Sequence, residues 1–330
     1  PFLVDSLTNA VVRAGHRIVR HLHPVLGTDR DGEGRLTSGS KAHGAPRRES
    51  VQHFELDDVL YPADAAAMIA QIDHELDDVL AAVRDFEPMR RIVRNMIQGA
   101  KEGVHHYEYE EVAETVAFLE WLLDDNYVFL GYREYAVGET DEGPYVEAVA
   151  DSGLGILSRN GREPTRALLA DLPPYLQERY EGGDLLVITK TNRHATVHRD
   201  ARMDYIGLRR LDEDGRMVAE MRLLGLFTSK AYMQPAGEIP VLRRKLSQVL
   251  VDQDVIEGSH DYKSLIQTFE TFPKDDLFAM AVEPLSEMLG DLVETEESSA
   301  ARLFVRRDSL NRYVSVLVTI PRDRFNADLR

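Results

Sequence analysis

The sequence predicts an α+β protein assembled from several modules, and three observations carry that reading. Asp204 to Leu211 and Met217 to Phe227 read as two long strands around Asp212-Glu213-Asp214-Gly215. The Asp-Gly step supplies the positive φ that a tight hairpin turn needs. Residues 1–86 run in the order helix, strand, strand, helix. Residues 235–300 carry helical spacing and are followed by two more strands.

The composition bounds the class. A chain of 330 residues, 43% hydrophobic and 29% charged, is long enough for two or three modules that each bury a core. The formal charge of −18 repels phosphate backbones and anionic membrane faces, so no nucleic-acid or membrane partner is expected. No cysteine is present, which removes thiolate metal sites, thiol nucleophiles and disulfides. No apolar run approaches the ~20 residues that span a bilayer. No basic stretch, apolar core and small-residue cleavage site open the chain. A cytoplasmic location is the expectation.

Taken in order, Leu3, Leu7, Ala10, Val11 and Ala14 form an apolar stripe at helical spacing, closed by Gly15. His16 to Leu26 and Val51 to Leu56 read as strands, with a charged, Gly- and Ser-rich loop from Gly27 to Ser50 between them. Pro62 opens a long helix whose inward face is read as Ala65, Met68, Ile69, Ile72, Leu76, Val79, Leu80 and Val83, ended by Glu87-Pro88. One strand before residue 1 and one after Phe86 would complete βαββαβ, a ferredoxin-like half-sandwich. The piece is therefore expected to start inside one such unit, and the strand-to-helix junction at Ile320 to Asn326 suggests that it ends inside another. Met89 to Gly103 and Tyr109 to Asp125 are read as helices. Tyr127 to Val137, Tyr145 to Ala150 and Leu185 to Lys190 are read as strands, with further strand at Gly153 to Ser158 and Thr196 to His198. Thr165 to Tyr180 is a short helical region broken at Pro173-Pro174. Five or six antiparallel strands with intervening helices describe a PAS- or GAF-like sensor sheet, with a second ferredoxin-like unit as the alternative.

Candidate chemistry is sparse. Gly153-Leu154-Gly155 has two glycines of a dinucleotide fingerprint, but Ser158 stands where the third belongs, so an ordinary turn is the reading. His21 and His23 share a strand face, and His53 lies on the strand expected to pair with theirs. Three imidazoles could take zinc, yet no carboxylate is spaced to complete the set, so no metal is assigned. Arg243-Arg244-Lys245 and Arg306-Arg307 could hold a carboxylate, or form a solvated face. No Walker loop, Gly-x-Ser-x-Gly elbow or HExxH occurs, and no catalytic residue is named.

A colinear series of motifs resembles one family. It comprises Pro1-Phe2-Leu3-Val4-Asp5-Ser6, Asp124-Asp125-Asn126-Tyr127-Val128-Phe129-Leu130-Gly131-Tyr132-Arg133, Gly153-Leu154-Gly155-Ile156-Leu157, and Asp204-Tyr205-Ile206-Gly207. It continues with Leu224-Gly225-Leu226-Phe227-Thr228-Ser229-Lys230-Ala231-Tyr232, Ile239-Pro240-Val241-Leu242-Arg243-Arg244-Lys245, Phe272-Pro273-Lys274-Asp275-Asp276-Leu277-Phe278, and Pro321-Arg322-Asp323-Arg324-Phe325-Asn326. Together these resemble the N-terminal part of the large bacterial NAD-dependent glutamate dehydrogenases. The resemblance implies an ACT-like module over residues 1–97 and a helical linker over 98–126. It implies a PAS-like module over 127–234, a helical motif over 235–300 and the start of a second ACT-like module over 301–330. It further implies a homo-oligomer, usually a tetramer, with NAD and catalysis in a later domain of the same chain. The glycine-flanked catalytic lysine of the family has no counterpart here. ACT modules bind amino-acid effectors near the first strand-to-helix junction, which places Phe2, Asp5 and Ser6, and again Asp323, Phe325 and Asn326, as effector-binding residues. The competing readings are a free-standing small-molecule sensor or adaptor and a purely structural oligomerisation module.

Overall fold

The computed structural model describes residues 2–158, 166–296, 301–307 and 314–320. The chain divides into two compact units, residues 1–83 with 195–200, and residues 84–194 with 201–330. Helix and antiparallel sheet are mixed in both, so the α+β class holds.

The first unit opens with α1 (Leu3–Arg13), which buries Ser6, Leu7, Ala10 and Val11. Gly15 follows with φ of 90°, the left-handed stop that glycine takes without strain. β1 (Ile18–Leu22) ends before His23-Pro24, and β2 (Val25–Arg30) starts after it. The single strand expected over 16–26 is therefore two, because Pro24 has no N–H to give to a ladder. The expected loop over 27–50 is corrected too. β2 pairs with β3 (Leu36–Lys41) and β4 (Arg48–Ser50) in a three-stranded sheet of order β3-β2-β4. Every residue of β3 is exposed, so main-chain bonds and polar pairs such as Arg30–Glu49 and Ser38–Asp29 make this sheet, and no apolar alternation announces it. β5 (His53–Leu56) returns to pair antiparallel with β1.

α2 (Pro62–Arg84) forms as expected, with Val79 buried and Ala65, Met68, Ile72 and Leu76 half-buried on its inward side, but that side is turned away from three of the residues expected there. Glu75 and Asp78 are buried with Val79, Ala81 and Ala82, whereas Ile69, Leu80 and Val83 are exposed. The buried acids are matched by a cation and a hydroxyl, described below, and that pairing lets them share the inward side with the apolar stripe.

In the second unit, α3 (Phe86–Glu102) starts where the sequence placed a helix end. Pro88 sits in its first turn, where a missing N–H leaves no bond unmade. α4 (Tyr109–Trp121) packs on α3. The long sheet then comprises β6 (Tyr127–Thr140), β7 (Gly143–Ala148), β8 (Leu154–Gly155), β9 (Ala167–Leu168), β10 (Leu186–His194), β11 (Arg202–Leu211) and β12 (Met217–Phe227). Its order is β10-β11-β12-β6-β7-β9, antiparallel throughout, with β8 on β6. α5 (Pro174–Glu181) begins at the second proline of the expected break. Thr196 to His198 form no strand: the ladder stops at His194 and resumes at Arg202.

One sheet face, including Tyr132, Ile188, Ile206, Leu208, Met221 and Leu223, is buried against the helices. Those helices are α3, α4, α6 (Ser229–Met233), α7 (Leu242–Asp252), α8 (His260–Thr271), α9 (Lys274–Ala279) and α10 (Val282–Glu296). β13 (Arg302–Arg307) and β14 (Val314–Thr319) close the described chain as a hairpin. Phe304 and Leu317 face the core, while Leu303, Val305, Val314, Val316 and Val318 are exposed on the other side.

Phe118 on α4 is fully buried and lies 5.6 Å from both Trp121 and Phe278 and 6.4 Å from Phe227, ring centroid to centroid. It therefore joins α4, β12 and α9. Phe118→Ala removes a ring from all three and is expected to cost about 3–5 kcal/mol, read from urea unfolding of the second unit.

Candidate effector site

Phe2, Asp5 and Ser6 come together at the start of α1, and they are not alone. The segment 195–200, between β10 and β11 in sequence, belongs to the first unit and seats on them. Ala195 and Val197 are buried and anchor it by apolar contact. Between these anchors and Asp200, His198 engages all three expected residues. Its backbone N–H donates to Ser6 Oγ at 2.9 Å, and its Nδ1 lies 3.1 Å from Asp5 Oδ2. Its ring lies 5.2 Å from that of Phe2. Asn9 Nδ2 donates to the His198 carbonyl at 2.7 Å. His198 has φ of 70°, left-handed for a residue with a Cβ, a conformation that persists only where surroundings hold it.

The next turn of α1 extends the grip. Arg13 Nη1 donates to the Ala195 carbonyl at 3.2 Å, and Arg13 Nη2 donates to Glu75 Oε2 at 2.6 Å. Asp200 lies 3.5 Å from Arg13, and Thr196 Oγ1 donates to Asp78 Oδ2 at 2.7 Å. This is why α2 turns its acids inward: Glu75 has no exposed surface and needs the guanidinium. Asn9, Arg13, Glu75, Asp78 and the segment 195–200 were not legible as site residues, because His198 stands 192 positions from Ser6 and no local pattern links them. The second expected set, Asp323, Phe325 and Asn326, lies outside the described residues.

A second polar cluster covers one face of the long sheet. Glu220 on β12 has no exposed surface and pairs with Arg179 from α5. It also accepts from Tyr205 Oη and from Arg222 Nε, each at 2.7 Å. Arg222 lies 3.8 Å over the Tyr135 ring and bonds Tyr180. Gly207 makes room: a Cβ there would fall 2.6 Å from Glu220 Oε1 and 2.7 Å from Arg179 Nη2. Burial alone would raise the Glu220 carboxyl, but Arg222 and Arg179 hold it at about 2. On the opposite face, Lys190 Nζ lies 2.5 Å from Asp204 Oδ1 and 3.2 Å from Asp275 Oδ2. Burial pushes Asp204 up to about 6 against the pull of Lys190.

The remaining expected sites resolve into internal contacts. Arg243 pairs with Glu114 at 2.8 Å, Arg244 with Glu108 at 3.4 Å, and Arg306 with Asp276 at 2.7 Å. Lys245 Nζ donates to the carbonyls of Leu277, Phe278 and Met280. His21 stacks on Phe54 at 4.2 Å, and His53 stands opposite Leu22, on the other face from His21. The three imidazoles thus do not converge, and no metal-holding group of His, Asp and Glu occurs among the described residues. A dinucleotide does not fit at Gly153-Leu154-Gly155. The Gly155 N–H donates to Asp85 Oδ2 at 2.8 Å, and Cβ atoms at the two glycines would strike the Leu157 and Leu130 carbonyls. No helix among the described residues is long and apolar enough to cross a membrane.

A segment of several modules, each built from antiparallel sheet and packed helices, is the class that this architecture defines. Residues 1–75 match the model of the glutamate dehydrogenase ACT1 domain, residues 239–298 that of glutamate dehydrogenase helical motif 1, and residues 302–330 that of the ACT2 domain. The whole chain is 33% identical to an NAD-specific glutamate dehydrogenase of Halomonas elongata and 32% identical to one of Pseudomonas aeruginosa, covering 21% and 20% of those proteins. A 28% identical NAD-specific glutamate dehydrogenase of Mycobacterium tuberculosis is matched over 99% of this chain and 19% of that protein. The chain thus carries three glutamate dehydrogenase domain matches and is similar from end to end to the N-terminal fifth of NAD-specific glutamate dehydrogenases, spanning about a fifth of the length of these relatives.

The Glu220 cluster gives a pH-dependent prediction. Its carboxyl sits at about 2 when folded against an ordinary 4.5, so its stabilisation is complete above 4.5 and is lost as pH falls toward about 2. Glu220→Gln leaves two guanidiniums facing a neutral amide. The stability gap between wild type and this variant, from urea midpoints at about pH 5 down to about pH 2.5, is expected to narrow as pH falls.

Proposed function

We propose that this chain is the regulatory and oligomerisation segment of an NAD-dependent glutamate dehydrogenase. In that reading the parent converts L-glutamate, NAD and water to 2-oxoglutarate, ammonium and NADH. The observation that carries it is the end-to-end similarity to the N-terminal fifth of enzymes of that name. The chemistry and the NAD site belong to another domain of the parent chain, which is this segment's partner. That division is supported by the poor fit of the Gly153-Gly155 turn to a dinucleotide. The modules extend over residues 1–97, 98–126, 127–234, 235–300 and 301–330, with the third PAS-like and the first and last ACT-like. The parent assembles as a homotetramer in the cytoplasm.

Phe2, Asp5 and Ser6 sense an amino-acid effector, and Asp323, Phe325 and Asn326 repeat that role in the second ACT-like module. Such sensing needs an effector with different affinity for two states of the assembly, a coupling of about 1–3 kcal/mol in typical cases. The test is glutamate turnover by the full-length enzyme against a panel of L-amino acids. At least one is expected to shift the rate, and Asp5→Ala or Ser6→Ala is expected to raise its half-maximal concentration about tenfold. A panel with no effect on rate and no binding heat would overturn the sensing role. Turnover by residues 1–330 alone would overturn the whole assignment.

A further inference from the structure

His198 is held as a ligand is held. Its N–H and C=O, the two recognition groups of an α-amino-acid backbone, are bonded by Ser6 and Asn9. Its side chain is read by a carboxylate, Asp5, and an aromatic ring, Phe2. One wall is therefore apolar and one anionic, a combination that suits an imidazole or another cationic side chain. The residues on either side reinforce the seat, with Ala195 and Val197 buried and Thr196 on Asp78. The left-handed backbone at His198 adds a cost that the seat must offset. Among the described residues, α1 thus meets residues 195–200 where an effector was expected.

We propose that residues 195–200 are an intrachain pseudo-ligand, with His198 in a cradle made by Phe2, Asp5, Ser6 and Asn9. A free L-amino acid with an imidazole or cationic side chain competes with His198 for that cradle. This rests on reading the start of α1 as an effector site, and it adds what that site selects and what it must displace. Competition with a tethered occupant weakens the apparent affinity by the fraction of time the seat is open. A seat closed nine-tenths of the time costs the free ligand about tenfold.

The test uses the full chain with free imidazole and L-histidine as probes and L-aspartate as the control. His198→Gly and His198→Asn both remove the imidazole and both tolerate left-handed backbone, so either can serve if the other fails to fold. L-Histidine is expected to bind the variant at least about tenfold tighter than wild type, imidazole to bind the variant detectably, and L-aspartate to bind neither. Adding Asp5→Asn is expected to reverse the gain about tenfold. In wild type, saturating L-histidine is expected to speed amide exchange across residues 196–199. Equal L-histidine affinity in wild type and variant, or a gain that survives Asp5→Asn, overturns the proposal. None of these readouts uses enzyme turnover. A parent enzyme indifferent to amino acids would therefore defeat the effector reading while the binding data still judged the cradle.

Discussion

Carboxylates taken out of water organise this molecule. Glu220 has no exposed surface, and its charge persists only because Arg179, Arg222 and Tyr205 surround it. Glu75 is equally buried and is matched by Arg13. Asp204 is matched by Lys190, and Asp85 by Arg84 and the Gly155 N–H. In a chain with a formal charge of −18, most acids can stay wet, so the few that do not define fixed points. Two of the fixed points join elements distant in sequence, α5 to β12 and α1 to α2, and the Asp204 pair ties the neighbouring strands β10 and β11. Apolar burial supplies the bulk driving force, and these pairs select among the arrangements it allows.

What could be read without coordinates follows the same division. The hairpin of β11 and β12 was legible almost to the residue, since Asp214-Gly215 pins its turn and both strands are long. The helices after residue 235 were legible from their apolar spacing. The sheet of β2, β3 and β4 was not, because most of its side chains stay in solvent, and main-chain bonds with polar pairs such as Arg30–Glu49 and Ser38–Asp29 define it without an apolar alternation. The inward face of α2 is legible in part, since Val79 is buried and Met68, Ile72 and Leu76 are half-buried as their spacing predicts. Electrostatics sets the rest: Arg13 and Thr196 draw Glu75 and Asp78 inward, while Ile69 and Leu80 stay exposed. Pro88 was misread as a stop because proline opens helices as readily as it ends them.

The site divides likewise. Phe2, Asp5 and Ser6 were named from resemblance alone, and the fold brings them to one place at the start of α1. Their neighbours Asn9 and Arg13 lie one and two turns further along the same helix. No sequence signal marks residues 195–200 as their counterpart, since Thr196 to His198 reads from the sequence as one more strand of the sheet, whereas the ladder stops at His194 and resumes at Arg202. Only tertiary contact brings the backbone and ring of His198 onto α1.

The hairpin of β13 and β14 has a practical bearing. Leu303, Val305, Val314, Val316 and Val318 each leave more than half of their surface in solvent, as one aliphatic strip on a two-stranded ribbon. A strip of that kind is a seat for further apolar surface, and it lies within the stretch that matches a glutamate dehydrogenase ACT2 domain. Any piece of the protein cut just after this ribbon would carry a greasy edge, and would stay dispersed only as far as the acidic surface elsewhere, unscreened by salt, held copies apart.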